Sequence, residues 1–427
     1  MKQSERKVLG DVNENRVTTE LIMISINGAD RAGLTADFTE ILSKYEAEIL
    51  DIGQADIHHS LTLGILFKTD SDKSGQIVKE LLFKANEIKV QIAFDIINED
   101  DYKEWVNRQG KARYIVTILG RKITADQIAA TSRVISDQGL NIDSIRRLTG
   151  RIPLDEEELP KTKACIEFSV RGEPEDLLKM QSDLMKLSNE LKYDISLQKD
   201  TIYRRSRRLI CFDMDSTLIK TEVIDELAEK AGVGSEVRKI TESAMRGEID
   251  FKESFTQRVA LLKGLDASVM KEIAENLPIT EGVDRLMEVL KRSGYKTAIL
   301  SGGFNYFGNY LKQKYHSDYV YANELEIDKD GKLTGRYVGD IVDGQRKKEL
   351  LRLLAQVENI NIAQTIAVGD GANDLPMLSE AGLGIAFHAK PKVKAEASQS
   401  ISTIGIDGVL YFLGFKDSYI TDSNSLQ

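Results

Sequence analysis

From Leu209 onward the chain is built of short, unbroken apolar runs separated by long helical segments, and each run stops at a small cluster of polar residues and glycines. LICF (Leu209 to Phe212) runs straight into Asp213; TAIL leads to Ser301, Gly302 and Gly303; TIAV ends at Gly369 and opens onto Asp370. A strand with one wet face alternates apolar and polar residues. An uninterrupted run expects cover on both faces, which is the habit of a parallel sheet with helices on each side. In such α/β folds ligands bind just past the carboxyl ends of the strands. That rule gathers Asp213, Asp215, Ser301, Asp370, Asn373 and Asp374 at one crevice, with Lys347 reaching in from the start of a helix (DGQRKKELL).

The preceding half has a different texture. TTELIMISING alternates as a strand does, DRAGLTADFTEILSKYEAEI has helical apolar spacing, ILDIGQADIHHSLTLGILF reads as two strands, and a second helix and the strand VQIAFDII complete a β-α-β-β-α-β unit. The same order returns from ARYIVTILG to YDISLQ, and Thr35-Ala36 answers Thr124-Ala125 at an offset of 89 residues. We therefore expect a flexible start at 1–17, two ferredoxin-like domains at 18–98 and 112–199, and the parallel-sheet domain at 200–427 with a helical cap at about 222–285. NEDDYKEWVNRQG reads as a polar loop between the copies, and RRSRR as a solvated linker. His58 and His59, adjacent in a strand, point to opposite faces and do not suit a metal.

The pair of small domains resembles tandem ACT domains, the amino-acid-sensing modules of metabolic enzymes. INGADRAGLTADFTEIL carries the resemblance, which implies an effector site at Asp30 and Gly33 and a homodimer formed through these domains. The second copy has LGRKITADQ there and lacks the glycine.

Composition narrows the remaining classes. A net charge of −10, from 58 basic and 68 acidic residues, argues against a nucleic-acid surface. No apolar stretch approaches a membrane span or a secretory signal, so a cytoplasmic protein with no membrane partner is expected. The 2 cysteines, Cys165 and Cys211, fall in separate strands and read as reduced, buried thiols.

Carboxylates converging on one crevice repel by about 4 kcal/mol per close pair at an effective dielectric near 20. A cation must lie among them, and hard oxygen donors point to Mg²⁺. Magnesium, a lysine, a hydroxyl and glycine amides around one carboxylate suit a phosphoryl group. At its reference pKa Asp213 is ionised and can attack phosphorus, while Asp215 is placed to protonate the leaving alkoxide and then deprotonate water.

DMDSTL, the LSGG serine, the lysine and VGDGAND together resemble the motifs of the haloacid-dehalogenase superfamily in its phosphatase branch. The resemblance implies Asp213 as nucleophile, Asp215 as acid/base, and Mg²⁺ held by Asp213, Asp370 and the backbone carbonyl of Asp215. It implies phosphoryl binding by Ser301, Gly302 and Lys347, supported by Gly303, Asn373 and Asp374. Lys348 competes with Lys347 for that place.

In the cap, Glu222 and Arg258 form an opposite-charge pair suited to an α-amino and an α-carboxylate group, and Met245 and Phe251 can exclude water. TEVIDELAEKAG and MRGEIDFKESFTQRV resemble the cap of the phosphoserine phosphatases, which implies Glu222, Met245, Phe251 and Arg258 as substrate contacts, O-phospho-L-serine as substrate, and L-serine as product and effector. A phosphotransferase acting on an alcohol such as homoserine shares these motifs. An amino-acid-responsive protein with an inactive phosphatase domain is the alternative from another class.

Overall fold

The computed structural model describes residues 18–107, 110, 112–151, 162–397 and 399–421, and the expected flexible start lies outside them. The chain divides into two compact units, Met1–Gly110 and Lys111–Gln427.

In the first unit the alternation of Ile22, Ile24 and Ile26 makes β1 (Thr19–Ala29) a strand with one buried face. It lies between β3 (Ser60–Asp70) and β4 (Gln91–Ile97), with β2 (Glu48–Ile57) outside β3, all antiparallel. Helices α1 (Leu34–Lys44) and α2 (Ser71–Ile88) bring Phe38, Ile41 and Leu81 onto that face. Two expectations need correction. His58 and His59 form the β2–β3 turn rather than part of a strand, with His58 at φ 60. Residues 99–107 are a helix, α3 (Glu99–Asn107), where a loop was expected. Tyr102, Trp105 and Val106 recur at helical spacing, and Asn98 Oδ1 accepts from the Asp101 N–H at 2.7 Å.

The second unit opens with the same topology: β5 (Arg113–Gly120), α4 (Ala125–Asp137), β6 (Asn141–Arg147), β7 (Ala164–Arg171), α5 (Leu177–Leu191) and β8 (Asp194–Lys199), in sheet order β6-β7-β5-β8. Here the second face of the sheet is covered too. Leu119 and Cys165 join Tyr411 and Phe412 in the main core, and Thr117 and Ser196 are fully buried. The join continues at the sheet edge. The Gln399 side chain accepts from the Leu197 N–H at 3.0 Å and donates to its carbonyl at 2.9 Å, as a neighbouring strand would. The Asp194 carboxylate accepts from the N–H groups of Ser402 at 2.6 Å and Thr403 at 3.0 Å.

The basic run beside this join is not a solvated linker. It forms α6 (Ile202–Arg205) and continues into the sheet domain with Arg204 and Arg207 buried, because the packed domain brings Glu167 to Arg204 at 2.9 Å and Gln198 Oε1 to Arg207 at 2.9 Å.

The large sheet has seven strands in the order β12-β11-β10-β9-β13-β14-β15. They are β9 (Leu209–Phe212), β10 (Lys296–Phe304), β11 (Tyr319–Ile327), β12 (Leu333–Val338), β13 (Thr365–Gly369), β14 (Leu383–Phe387) and β15 (Gln399–Ile401); only β12 is antiparallel to its neighbour. Both faces are covered, as the apolar runs require. Ile210, Phe212, Ile299 and Val368 face one core, and Leu209, Cys211, Ala298 and Ala367 the other. The cap supplies α7 (Val223–Ala231), α8 (Gly234–Met245), α9 (Phe251–Leu261) and α10 (Val269–Glu275). The helices flanking the sheet are α11 (Val283–Arg292), α12 (Asn305–Tyr315), α13 (Gly344–Val357), α14 (Leu375–Glu380), α15 (Pro391–Glu396), α16 (Val409–Phe412) and α17 (Asp417–Thr421). The cap leaves and returns by adjacent segments: Ile219 and Ile279 form an antiparallel bridge, and the Lys220 N–H donates to the Pro278 carbonyl at 2.8 Å. Cys165 and Cys211 are buried free thiols whose pKa values burial pushes up.

Candidate active site

Asp213 is the first residue past β9, and its N–H donates to the Val368 carbonyl at 2.9 Å, which fixes where the chain leaves the sheet. Its Oδ1 accepts from the Met214 N–H at 2.8 Å and from Lys347 Nζ at 2.8 Å. Asp343 caps α13 by accepting from the Arg346 N–H at 2.8 Å, and Lys347, in the first turn, is wholly buried. Lys347 Nζ also donates to Asp374 Oδ1 at 2.6 Å. Lys348 points elsewhere, pairing with Glu380 at 3.2 Å. Burial opposes the charge on Lys347, but Asp213 and Asp374 outweigh it and raise its pKa.

Asp374 sits on the 3₁₀ turn after Gly371, whose N–H donates to Oδ2 at 3.0 Å. Gly369 is required beside it, because a Cβ there would collide with the Asp374 carboxyl. Carboxylate oxygens of Asp213, Asp370 and Asp374 all lie within 4.8 Å of one another, an arrangement able to hold a metal ion. Both Asp374 oxygens already serve Lys347 and Gly371, so Asp213 and Asp370 are the better placed donors. Asp370 accepts from Thr217 Oγ1 at 3.4 Å.

Asp215 Oδ1 accepts from the Val223 N–H at 3.0 Å, at the start of α7, and its other oxygen occupies the space a Cβ on Gly303 would need. Between Asp215 and α7, Ser216 has φ 56 and donates to Glu222 Oε1 at 2.9 Å. Such a left-handed backbone costs energy in a non-glycine residue and gathers at functional sites.

Burial holds the pKa values of Asp213 and Asp215 well above the carboxylate range; Asp374 adds to the effect at Asp213 and Glu222 at Asp215, while Lys347 opposes both. Burial, then Asp374 and Glu222, push Asp370 up to about 7. The protein alone therefore does not leave Asp213 at its reference pKa, as the sequence reading assumed. A cation among these groups would supply the missing charge, and the donor set of Asp213 and Asp370 fits one.

The TAIL run was expected to stop at Ser301, Gly302 and Gly303. Instead β10 runs on through Ser301, Gly302 and Gly303 to Phe304, because Asn323 Nδ2 donates to the carbonyls of Gly302 at 2.8 Å and Gly303 at 3.2 Å, and Asn323 Oδ1 accepts from the Val342 N–H at 2.8 Å. Ser301 is buried, and its Oγ accepts from the Gly303 N–H at 2.9 Å. Phe251, at the start of α9, stands over this segment: a Cβ on Gly302 would lie 3.1 Å from its ring. Phe255, one turn on, anchors the cap against Phe304 at 5.9 Å between ring centroids and Tyr337 at 5.4 Å.

Glu222 occupies the N-cap position of α7, and Arg258 Nε donates to the Ser254 carbonyl at 3.4 Å. The two form no ion pair among the described residues. They are nevertheless close enough that the charges of Glu222, Asp225 and Asp215 counter the loss of proton affinity that burial imposes on Arg258. Asn373 is half-buried, with Oδ1 where a Cβ on Gly371 would lie. The Met245 side chain lies outside the described residues. Asp30 and Gly33 belong to the first unit: Gly33 caps α1 at φ 88, and the Asp30 N–H donates to the His59 carbonyl at 2.8 Å. Sequence reasoning missed Ser216, Thr217 and Asn323 as positioning residues. Ser216 and Thr217 stand inside the DMDSTL motif, whereas a lone asparagine in a strand gives no local signal.

Comparison with known proteins is consistent along the chain. Residues 20–95 and 112–198 match ACT domain families, and residues 207–382 match the haloacid dehalogenase-like hydrolases. A phosphoserine phosphatase of Streptomyces coelicolor is 37% identical over 95% of this chain and 95% of its own. One of Mycobacterium tuberculosis is 38% identical over 92% and 93%. Among solved structures, an unliganded probable phosphoserine phosphatase from Vibrio cholerae covers 75% of this chain and 90% of its own, with a TM-score of 0.56 and 34% identity. A HAD family hydrolase from Salmonella enterica covers 73% and 99%, with a TM-score of 0.59 and 32% identity.

Proposed function

The chain belongs to the phosphoserine phosphatase family, and on that premise we propose that it hydrolyses O-phospho-L-serine to L-serine and phosphate through an aspartyl-phosphate on Asp213. The observation that carries this reading is the buried Lys347, bonded at once to Asp213 and Asp374 and facing no other use. Lys347 and the Met214 N–H both engage Oδ1 of Asp213, which leaves Oδ2 to attack phosphorus. As the P–O bond to the serine oxygen breaks, Asp215 gives its proton to that oxygen. Burial, then Glu222, raise the pKa of Asp215 and so favour its protonated form, as an acid needs. Asp215 then takes a proton from the water that attacks phosphorus, the bond to Asp213 breaks, and phosphate leaves.

Ser301, the Gly302 N–H and Lys347 bind the phosphoryl oxygens, and Asp374, with Asn373 in the same turn, holds Lys347 in place. Asp213, Asp370 and the Asp215 carbonyl would hold Mg²⁺, which when bound would supply the positive charge that keeps Asp213 ionised and offsets the phosphate charge. Glu222 receives the substrate's ammonium group and Arg258 its carboxylate; Phe251, with Met245, closes the site to water. The small domains form a homodimer of a cytoplasmic enzyme, and L-serine acts at Asp30 and Gly33.

Phosphate release from a panel of phosphomonoesters with Mg²⁺ tests the reading. O-phospho-L-serine should be clearly preferred, Asp213→Asn should lose turnover by orders of magnitude, and Arg258→Ala should lose the preference. Equal rates across the panel, or full activity in Asp213→Asn, would sink it.

A further inference from the structure

We propose that the seam between the second small domain and the parallel-sheet domain is a binding site for a small oxyanion, a carboxylate or phosphoester, received by the guanidinium of Arg207. A cavity of about 480 Å³ opens there, with β8 and α6 on one side and α14, β14 and α15 on the other. None of the carboxylates around Lys347 lines it. Its volume falls in the range of small-molecule sites.

The charge lining this cavity is unbalanced. Lys199, Arg204 and Arg207 border it against one acid, Glu396. Arg204 is answered by Glu167 at 2.9 Å, outside the lining. Arg207 has no ion pair among the described residues. It is 4% exposed, its Nη1 donates to Gln198 Oε1, and its Nε is buried with no acceptor. Arg204 Nε is likewise buried and unpartnered.

A guanidinium buried without an anion is costly to a fold, and an apolar side chain of similar length would serve stability better. The cost is offset when an oxyanion accepts from the unused edge, since the planar fork matches carboxylate and phosphate oxygens. Tyr203 and Thr201 stand on the same lining and offer hydroxyl groups to the rest of such a ligand, whereas the Ser379 hydroxyl already donates to the Leu375 carbonyl at 2.7 Å.

The position also bears on the catalytic turn. Leu375 and Leu378 line the cavity from α14, and α14 starts immediately after Asp374, the residue that holds Lys347. A ligand against this wall therefore packs on the helix that carries the Asp370–Asp374 turn.

The test is calorimetric titration of the full chain with malonate, for carboxylates, and with inorganic pyrophosphate, for phosphoesters. One or both should bind at one equivalent. Arg207→Gln should weaken that binding at least tenfold, and Ser379→Trp, an exposed lining position filled by a bulky ring, should abolish it without touching the arginine. Lys347→Ala should leave it intact, which separates the seam from the carboxylate site. Should Arg207→Gln not fold, Ser379→Trp decides. No binding of either probe to the unaltered chain, binding unchanged in Ser379→Trp or in folded Arg207→Gln, or loss in Lys347→Ala would overturn the proposal.

Discussion

The two small domains share one strand order and one helix placement, yet the outer faces of their sheets have opposite fates. In the first, Asn27, Ala93 and Asp95 are exposed. In the second, Ile115, Thr117, Leu119, Cys165 and Ser196 are all buried. Its neighbouring loop is committed as well: Arg121 donates to both oxygens of Glu281, at 2.9 and 2.8 Å, where the first copy carries Asp30-Arg31 and Gly33. A duplicated domain has become, in one copy, part of the wall of the catalytic unit, while the other keeps its own core.

The sharpest way to break this comparison is deletion. Removing 112–199 uncovers Tyr411 and Phe412 and should leave no cooperatively folded protein, whereas removing 1–110 should leave a cooperative thermal transition and phosphate release. Equal tolerance of both deletions would end the distinction.

Single substitutions sharpen it. Asp194→Ala strips a buried acceptor from Ser402 and Thr403 and should cost about 2–4 kcal/mol in urea unfolding. Gln91→Ala, at the exposed start of the corresponding strand in the first copy, should stay within about 0.5 kcal/mol.

Mg²⁺ should stabilise only the transition of the second unit, by about 2.7 kcal/mol at a hundredfold excess over its dissociation constant. The sign of the pH effect follows from Asp370. Its folded pKa, about 7, exceeds the unfolded value, so in chelated protein its stabilising contribution is complete below about pH 4 and is lost as pH rises through about 7. Calorimetry with a chelator between these limits should show that decline in the second unit's transition, and Mg²⁺ should flatten it. Gly33→Ala should act on the first unit alone: φ 88 with open space around it predicts strain only, about 1 kcal/mol, with the basal rate of phosphate release unchanged.

The strand and helix order of both copies was legible because their periods differ, and the site motifs because they end unbroken apolar runs. What escaped the reading depends on neighbours distant in sequence. The RRSRR arginines look like solvent-seeking charges until folding brings Glu167 and Gln198 to them. Asp213 looks ionised until its burial beside Asp374 and Asp370 is known. The doubly covered face of β5 did leave a trace, since YIVTIL lacks the clean alternation of LIMISIN.

The paired tethers at Ile219 and Ile279 have a mechanical consequence. Two strands of chain bonded side by side behave as a hinge: the body beyond them can swing about one axis but resists sliding or twisting. Glu222 and Arg258 both ride on that body, so any opening carries them off together, and a molecule held by both is released in one movement rather than in two.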